Sequence, residues 1–334
     1  MRKLTVYLLL FFCTLTKVRA QIDPHFTQYY LYPMWLNPGL TGVISDGDYR
    51  VSAIYRNQWS IITQPYSTAG ISADVATDKN MNIGIDLLNQ SAGDGGYNYT
   101  TGYVSFAYSG VRFGTNGNQY LTMGLQAGMI RKSFDYSKLH FGDQWISGIG
   151  YNPNTPTSDL LDASLSKTVF DAGCGITYFD ATPDKKVNFF GGFAVSHLTQ
   201  PSDQFVGSDN STIPMRYTIH GGAKIVVSGM TNFYPELLYM QQGTAQETAI
   251  GGYADISATE TVSLLLGANY RVNDAVSFFT GINHNNFLFG VSYDANVSQL
   301  SSSGKNANSF ELSLSYVGKR PQKVIRNQYK CPRL

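Results

Sequence analysis

Five histidines are the first residues to test for chemistry: His25, His140, His197, His220 and His284. None stands in an HExxH or at the i, i+4 spacing that sets two imidazoles around zinc on one helix face. His220 falls between Arg216 and Lys224 on an alternating polar face, where a hydrogen-bonded buried imidazole is the ordinary reading. No GxSxG or GxGxxG occurs in a strand–turn–helix context. Gly93, Gly95 and Gly96 read as turn residues. Asp46-Gly47-Asp48 lacks the rest of a calcium loop and reads as a tight approach to a strand. Three cysteines occur, and Cys13 lies in an N-terminal apolar run. Cys174 alternates with Ile176 and Tyr178 as an apolar wall residue, and it meets Cys331 only if the C-terminal tail reaches the strands. Cys331 is a free-thiol candidate. The expectation is a chain without bond chemistry, metal or cofactor.

The elements that carry these residues begin with an export signal. Arg2 and Lys3 precede an apolar run over 4–15, and Val18 and Ala20 offer small residues at −3 and −1, so cleavage is expected near Ala20. Residues 1–20 are therefore read as a signal peptide. Only 14% of residues are charged, 13% are aromatic, and the net charge is +1. That balance argues against a nucleic-acid binder. No later apolar run reaches the eighteen or so residues of a membrane-spanning helix.

After Gly42 the chain alternates with a period of two. Phe310, Leu312, Leu314 and Tyr316 interleave with Ser309, Glu311, Ser313 and Ser315, and Val262, Leu264, Leu266, Ala268 and Tyr270 share one face. About fourteen such runs occur, at 48–57, 67–76, 81–89, 98–109, 119–132, 171–179, 187–198, 215–227, 232–240, 247–256, 261–271, 275–282, 286–295 and 308–317. Their lengths suit tilted strands crossing a bilayer. Aromatics gather near run ends, as at Tyr97, Tyr99, Tyr178, Phe179, Phe189 and Tyr316. Connections alternate between short turns, such as 77–80 and 228–231, and longer loops, such as 133–170 and 199–214. The predicted fold is an all-β, antiparallel outer-membrane barrel over 48–317, with both termini on the periplasmic, short-turn side. Pro235 argues for an edge or bulge in its run.

The polar face carries Arg50, Arg56, Asp74, Asp86, Arg216, His220, Lys224, Glu247, Asp255, Asp294 and Glu311. These belong in a lumen rather than in lipid. Arg50, Arg216, His220, Lys224 and Glu311 are the lumen candidates, and charges of both signs suggest a paired interior. Residues 21–47 contain DPHFTQYYLYPMWLNPGLTG, too apolar for a tether and too irregular for a strand. This stretch is expected to form a short plug at or inside the inner mouth, packing its aromatics on the wall. Residues 318–334 form a tail with Lys319, Arg320, Lys323, Arg326, Lys330 and Arg333 and no acid, suited to an acidic partner surface in the periplasm.

Asp23-Pro24-His25-Phe26-Thr27-Gln28-Tyr29 and Asn37-Pro38-Gly39-Leu40-Thr41-Gly42 resemble the DPxFSQY…NPAxxG opening of the type IX secretion system membrane proteins PorP/SprF. Tyr55-Arg56-Asn57-Gln58-Trp59 resembles that family's YRxQW motif, and Cys331-Pro332-Arg333-Leu334 its CPxF ending. The resemblance implies an outer-membrane component of the type IX machinery, embedded in the lipid bilayer. Its implied role is to help export or anchor a surface protein, such as a large gliding adhesin, through that protein's C-terminal signal domain. Loops 133–170 and 199–214 are expected to hold the exported protein. Asp23, Pro24, Phe26, Gln28, Tyr29, Trp35, Asn37, Pro38, Arg56, Gln58 and Trp59 become candidates for a plug or partner surface. Lys319, Arg320, Lys330 and Cys331 become candidates in the tail. Arg56 is placed in the lumen at the outer end of the first strand, where it can anchor a loop or inner segment. A porin-like or fatty-acid-transporter-like channel is the alternative.

Overall fold

The computed structural model describes residues 23–45, 47–59, 65–77, 79–93, 96–114, 116–135, 140–152, 154–157, 166–203, 211–298 and 308–320. The expected signal peptide, Asp46, Gly95, Lys330 and Cys331 lie outside them.

Fourteen antiparallel strands close into one barrel. They are β1 Tyr49–Gln58, β2 Tyr66–Val75, β3 Met81–Ala92, β4 Tyr97–Phe113, β5 Gln119–Ser133, β6 Ser166–Asp180 and β7 Val187–Ser196. The chain continues with β8 Arg216–Ser228, β9 Thr231–Gln242, β10 Ala245–Ser257, β11 Val262–Arg271, β12 Ala275–His284, β13 Phe287–Asn296 and β14 Ser309–Gly318. Each strand pairs with its sequence neighbour, and β1 meets β14 through the register Arg56↔Glu311 to remove the last free edge. The alternation of the sequence becomes two faces. Ile83, Ile85 and Leu87 on β3, Phe106 on β4 and Leu125 on β5 stand outward and exposed. So broad an apolar belt needs lipid against it. All the acidic and basic residues of the expected polar face fall on the opposite, lumen-facing register, as in Arg50↔Asp74 and Arg56↔Glu311.

Strand limits differ from expectation in places. β6 begins at Ser166 rather than near 171, and within the preceding long-loop region Trp145–Ile146 and Gly150–Tyr151 pair as a small hairpin. Between Gly222↔Glu236 and Ile225↔Phe233 the β8–β9 ladder lapses around Pro235, which has no N–H to donate. Tyr178, Phe189 and Tyr316 keep the outward parity, but Tyr99 is 1% exposed and turns into the lumen. Proximity to a strand end does not choose a face; register does.

Links after even-numbered strands are short turns. Links after odd-numbered strands include the long loops, although 243–244 and 272–274 at that end are also short. The segment 23–42 lies inside the barrel as a 3-10 turn at Tyr29–Leu31, helix α1 at Pro33–Leu36 and a second 3-10 turn at Pro38–Leu40. Pro33 and Pro38 open the last two, where a missing N–H costs nothing. The segment is not confined to the short-turn mouth, as the sequence suggested. Asp23 bonds Tyr99 near the start of β4, His197 just past β7, Arg216 at the start of β8 and Gln242 at the end of β9, all at the long-loop end. Gly42 bonds Asp74 at the opposite end. An even strand count puts Tyr49 and Gly318 on one side. It says nothing about where the residues before Tyr49 begin.

Candidate functional site

The described site is the stoppered lumen and the mouth above it. Two clusters of buried charge hold the segment at the long-loop end. In the first, Glu311 of β14 accepts the backbone N–H of Thr27 at 2.7 Å and of Gln28 at 3.0 Å, and pairs with Arg56. Thr27 donates its hydroxyl to Asp294 at 2.8 Å, and Asp294 also takes Arg56 and Arg271, each at 2.9 Å. Gln28 is completely buried; its amide reaches Ser292 and its oxygen accepts from Ser313. Gln58 accepts from Arg56 at 3.4 Å.

In the second cluster Asp23 accepts from Arg216 at 3.0 Å, and its carboxylate lies 2.7 Å from one ring nitrogen of His197. The other ring nitrogen lies 2.7 Å from Asp171. Both partners are acceptors, so both imidazole nitrogens carry protons. Burial works against that charge, but the Asp23 carboxylate and the hydrogen bonds to Asp171 and Asp23 outweigh it, and the His197 pKa is pushed up to about 9. For Asp23, burial is outweighed by His197 and Arg216, which hold its carboxyl well below the usual range. Arg216 also lies over the Trp35 ring at 4.7 Å, and the indole N–H donates to Pro24 O at 2.9 Å. The segment thus folds back beneath its own start.

Apolar contacts fill the middle. Phe26 meets Tyr32 edge to face at 5.6 Å, Tyr30 stacks on Tyr253, and the Tyr29 hydroxyl donates to Glu236 at 2.9 Å. Phe26, Tyr32, Met34 and Leu36 are buried. At roughly 1.5–3 kcal/mol each, such side chains hold the segment more strongly than buried ion pairs do, because desolvation cancels most of the Coulomb gain. The charges set its height and rotation instead. Lower down, the Asn37 amide donates to Ile176 O at 3.0 Å, sits 3.0 Å from His220 Nε2, and accepts from Gly39 N at 2.8 Å. The wall makes room here with glycine: a Cβ on Gly124 would lie 2.2 Å from Pro38 O, and one on Gly175 2.0 Å from Asn37 Oδ1. At the short-turn end Arg50 pairs with Asp74 at 2.7 Å and donates to Leu40 O and Val43 O.

Other expected residues sit apart. Lys224 is half-buried on the lumen register, four residues below His220. Lys319 and Arg320 are exposed at the short-turn end, with Arg320 N donating to Asp48 at 2.7 Å. Cys174 is a free, half-buried thiol on the outward register. His197, Asp171, Arg271 and Glu236 were missed as site residues. Alternation marks Arg271, which falls opposite the face carrying Ala268 and Tyr270; nothing local marks His197, which follows the end of β7 with φ +58°.

Above the stopper lies a cavity of about 1030 Å³. Trp59, Tyr66, Tyr97 and Phe134 form one wall, Gln246, Glu247, Asn273 and Asp274 another, and Pro24 and His25 the floor. Cavities beside the segment, at Phe26 and Tyr29 and at Trp35 and Leu36, measure only about 10 Å³ each, room for a single water. Of the link after β7, the described residues 197–203 and 211–215 bury Ile213 and set Asp203 on Lys132. Among the described residues no group of acidic, His or Cys side chains is arranged to hold a metal ion.

Residues 18–316 match the type IX secretion system membrane proteins PorP/SprF, and the chain belongs to that family. It is an outer-membrane type of β-barrel. No curated protein sequence matches it. In fold it is similar to the Ralstonia pickettii toluene transporter TbuX, at 10% identity over 87% of this chain and 94% of that one, with a TM-score of 0.53. It is also similar to the Pseudomonas putida toluene transporter TodX, at 9% identity over 89% of this chain and 95% of that one, with a TM-score of 0.51.

Proposed function

We propose that this PorP/SprF barrel is a binding component of type IX secretion, holding an exported surface protein at its long-loop mouth. The exported partner is a protein with a type IX C-terminal signal domain, such as a large adhesin. The barrel helps to export or anchor it by positioning, without bond chemistry or cofactor. The short-turn end faces the periplasm, where Lys319, Arg320 and the basic residues that follow meet the translocation machinery.

The observation that carries this reading is a stoppered lumen beneath a cavity of about 1030 Å³ at the long-loop end. The segment 23–42 is tied by Asp294, Glu311 and Asp23 to the wall at the long-loop end, and the gaps beside it at Phe26 and Tyr29 and at Trp35 and Leu36 are water-sized. A mouth of this kind suits capture better than flow. The likeness to toluene transporters in fold keeps a channel as the second reading, with the stopper as its gate.

Affinity capture from native membranes with a tagged full-length chain tests the proposal. Stoichiometric recovery of one large exported protein with type IX components is expected. Recovery of neither, together with conductance by the purified barrel in planar bilayers, would favour the channel.

A further inference from the structure

We propose that the mouth cavity binds an extended segment of the exported polypeptide, laid between the aromatic wall and the polar wall with His25 beneath it. This rests on the reading that the barrel holds an exported protein, and it assigns the place and the chemistry of the contact.

Size comes first. About 1030 Å³ stands at the upper end of small-ligand pockets, more than one aromatic ring fills and far less than a folded domain needs. A few residues of extended chain fit that space. The aromatic wall consists of two pairs. Trp59 meets Tyr66 at 5.4 Å and 80°, and Tyr97 meets Phe134 at 5.2 Å and 49°. Rings set at such angles leave wedges that accept side chains, whereas a sugar wants a flat, open ring face. Across the mouth, the amide of Asn273 offers a donor and an acceptor, matching a peptide group. Glu247 and Asp274 add acceptors for backbone N–H groups.

The floor supplies an independent sign of a ligand. His25 is 6% exposed and its Nε2 has no hydrogen-bond partner. An unpaired buried polar atom is costly, and native interiors rarely tolerate one without a reason. Its Nδ1 lies 3.7 Å from Glu247. Burial, followed by the nearby charges of Arg56 and Arg271, holds the His25 pKa well below its ordinary value, so the ring is neutral. The His25 ring lines the floor of the cavity while Nε2 itself is closed off, and a turn of the ring would bring that nitrogen to accept an N–H from, or donate to, a peptide group seated on Pro24 and His25.

The test uses the full chain in native membranes, with the photoreactive amino acid p-benzoylphenylalanine at Trp59, at Val272 or at Trp145 of the loop hairpin. Irradiation followed by peptide mapping reads the contact. The proposal expects probes at Trp59 and Val272 to label one short stretch of an exported protein. His25→Ala should lower that yield roughly two- to tenfold, the worth of one hydrogen bond. Asn273→Ala, on the opposite wall, should do the same and serves if His25→Ala fails to fold. Adducts with a glycan or with this chain's own loops would overturn the proposal. Labelling of an exported protein from Trp145 alone would overturn it too, while leaving the capture function standing. No exported protein labelled from any position would defeat both.

Discussion

Nη2 of Arg56 lies 2.9 Å from Oδ2 of Asp294, although 238 positions separate them in the chain. Arg56 sits at the long-loop end of β1 and Asp294 near the end of β13, and β14 stands between them in the wall. The pair therefore meets inside the lumen, across Glu311, and encloses Thr27 of the stopper. The residues that face each other across the closing seam are thus the ones that hold the stopper.

Removing Glu311 should loosen both. Glu311→Ala strands Arg56 and the N–H groups of Thr27 and Gln28 in a buried site, and loss of one partner of a buried ion pair costs roughly 3–5 kcal/mol. A clear drop in the denaturation midpoint of the barrel in detergent is the expected result. Glu311→Gln should fall between, since its oxygen still accepts one N–H. An unchanged midpoint in both variants would show that the clamp contributes nothing.

His197 gives a pH dependence of defined sign. Its folded pKa is raised to about 9, above the ordinary histidine value, so its contribution is complete below about pH 6.5 and is lost as pH rises through 9. The groups facing it are Asp23 and Asp171, with Arg216, Tyr99 and Tyr103 bonded to those two carboxylates. Stability in detergent should fall by about 3 kcal/mol between pH 6.5 and 10. His197→Gln should flatten that slope.

The glycine seat at the base can be filled. Gly175→Val would put a Cβ 2.0 Å from Asn37 Oδ1, and Gly124→Ala one 2.2 Å from a backbone oxygen of the stopper. Either should displace Asn37 and Pro38 while leaving the barrel ladder intact. Chymotrypsin should then cut between Phe26 and Trp35 in the variants and not in the parent chain. Equal protection would mean that the wall yields instead.

Deleting residues 23–36 should open a path through the lumen. Planar-bilayer conductance is expected to be small for the parent and large for the deletion, provided the variant still migrates as a heat-modifiable barrel. High parent conductance would count against a seated stopper.

The sequence by itself determined which residues face the lumen and about where each strand lies. A period of two is a local property, so Arg56, Asp74, Arg216, Asp294 and Glu311 could be placed inward without knowing their partners. It also marked 23–42 as a piece to be docked, through its aromatics and its two prolines. Only the tertiary structure decided how far that piece reaches, because a segment without periodicity carries no register. Nor could spacing reveal that His197 joins Asp23 to Asp171, since that contact depends on barrel stagger and on a turn after β7. Which wall of the mouth is aromatic and which polar follows from the same stagger. Side-chain parity is written along each strand, but height around the ring is set only when the ring closes.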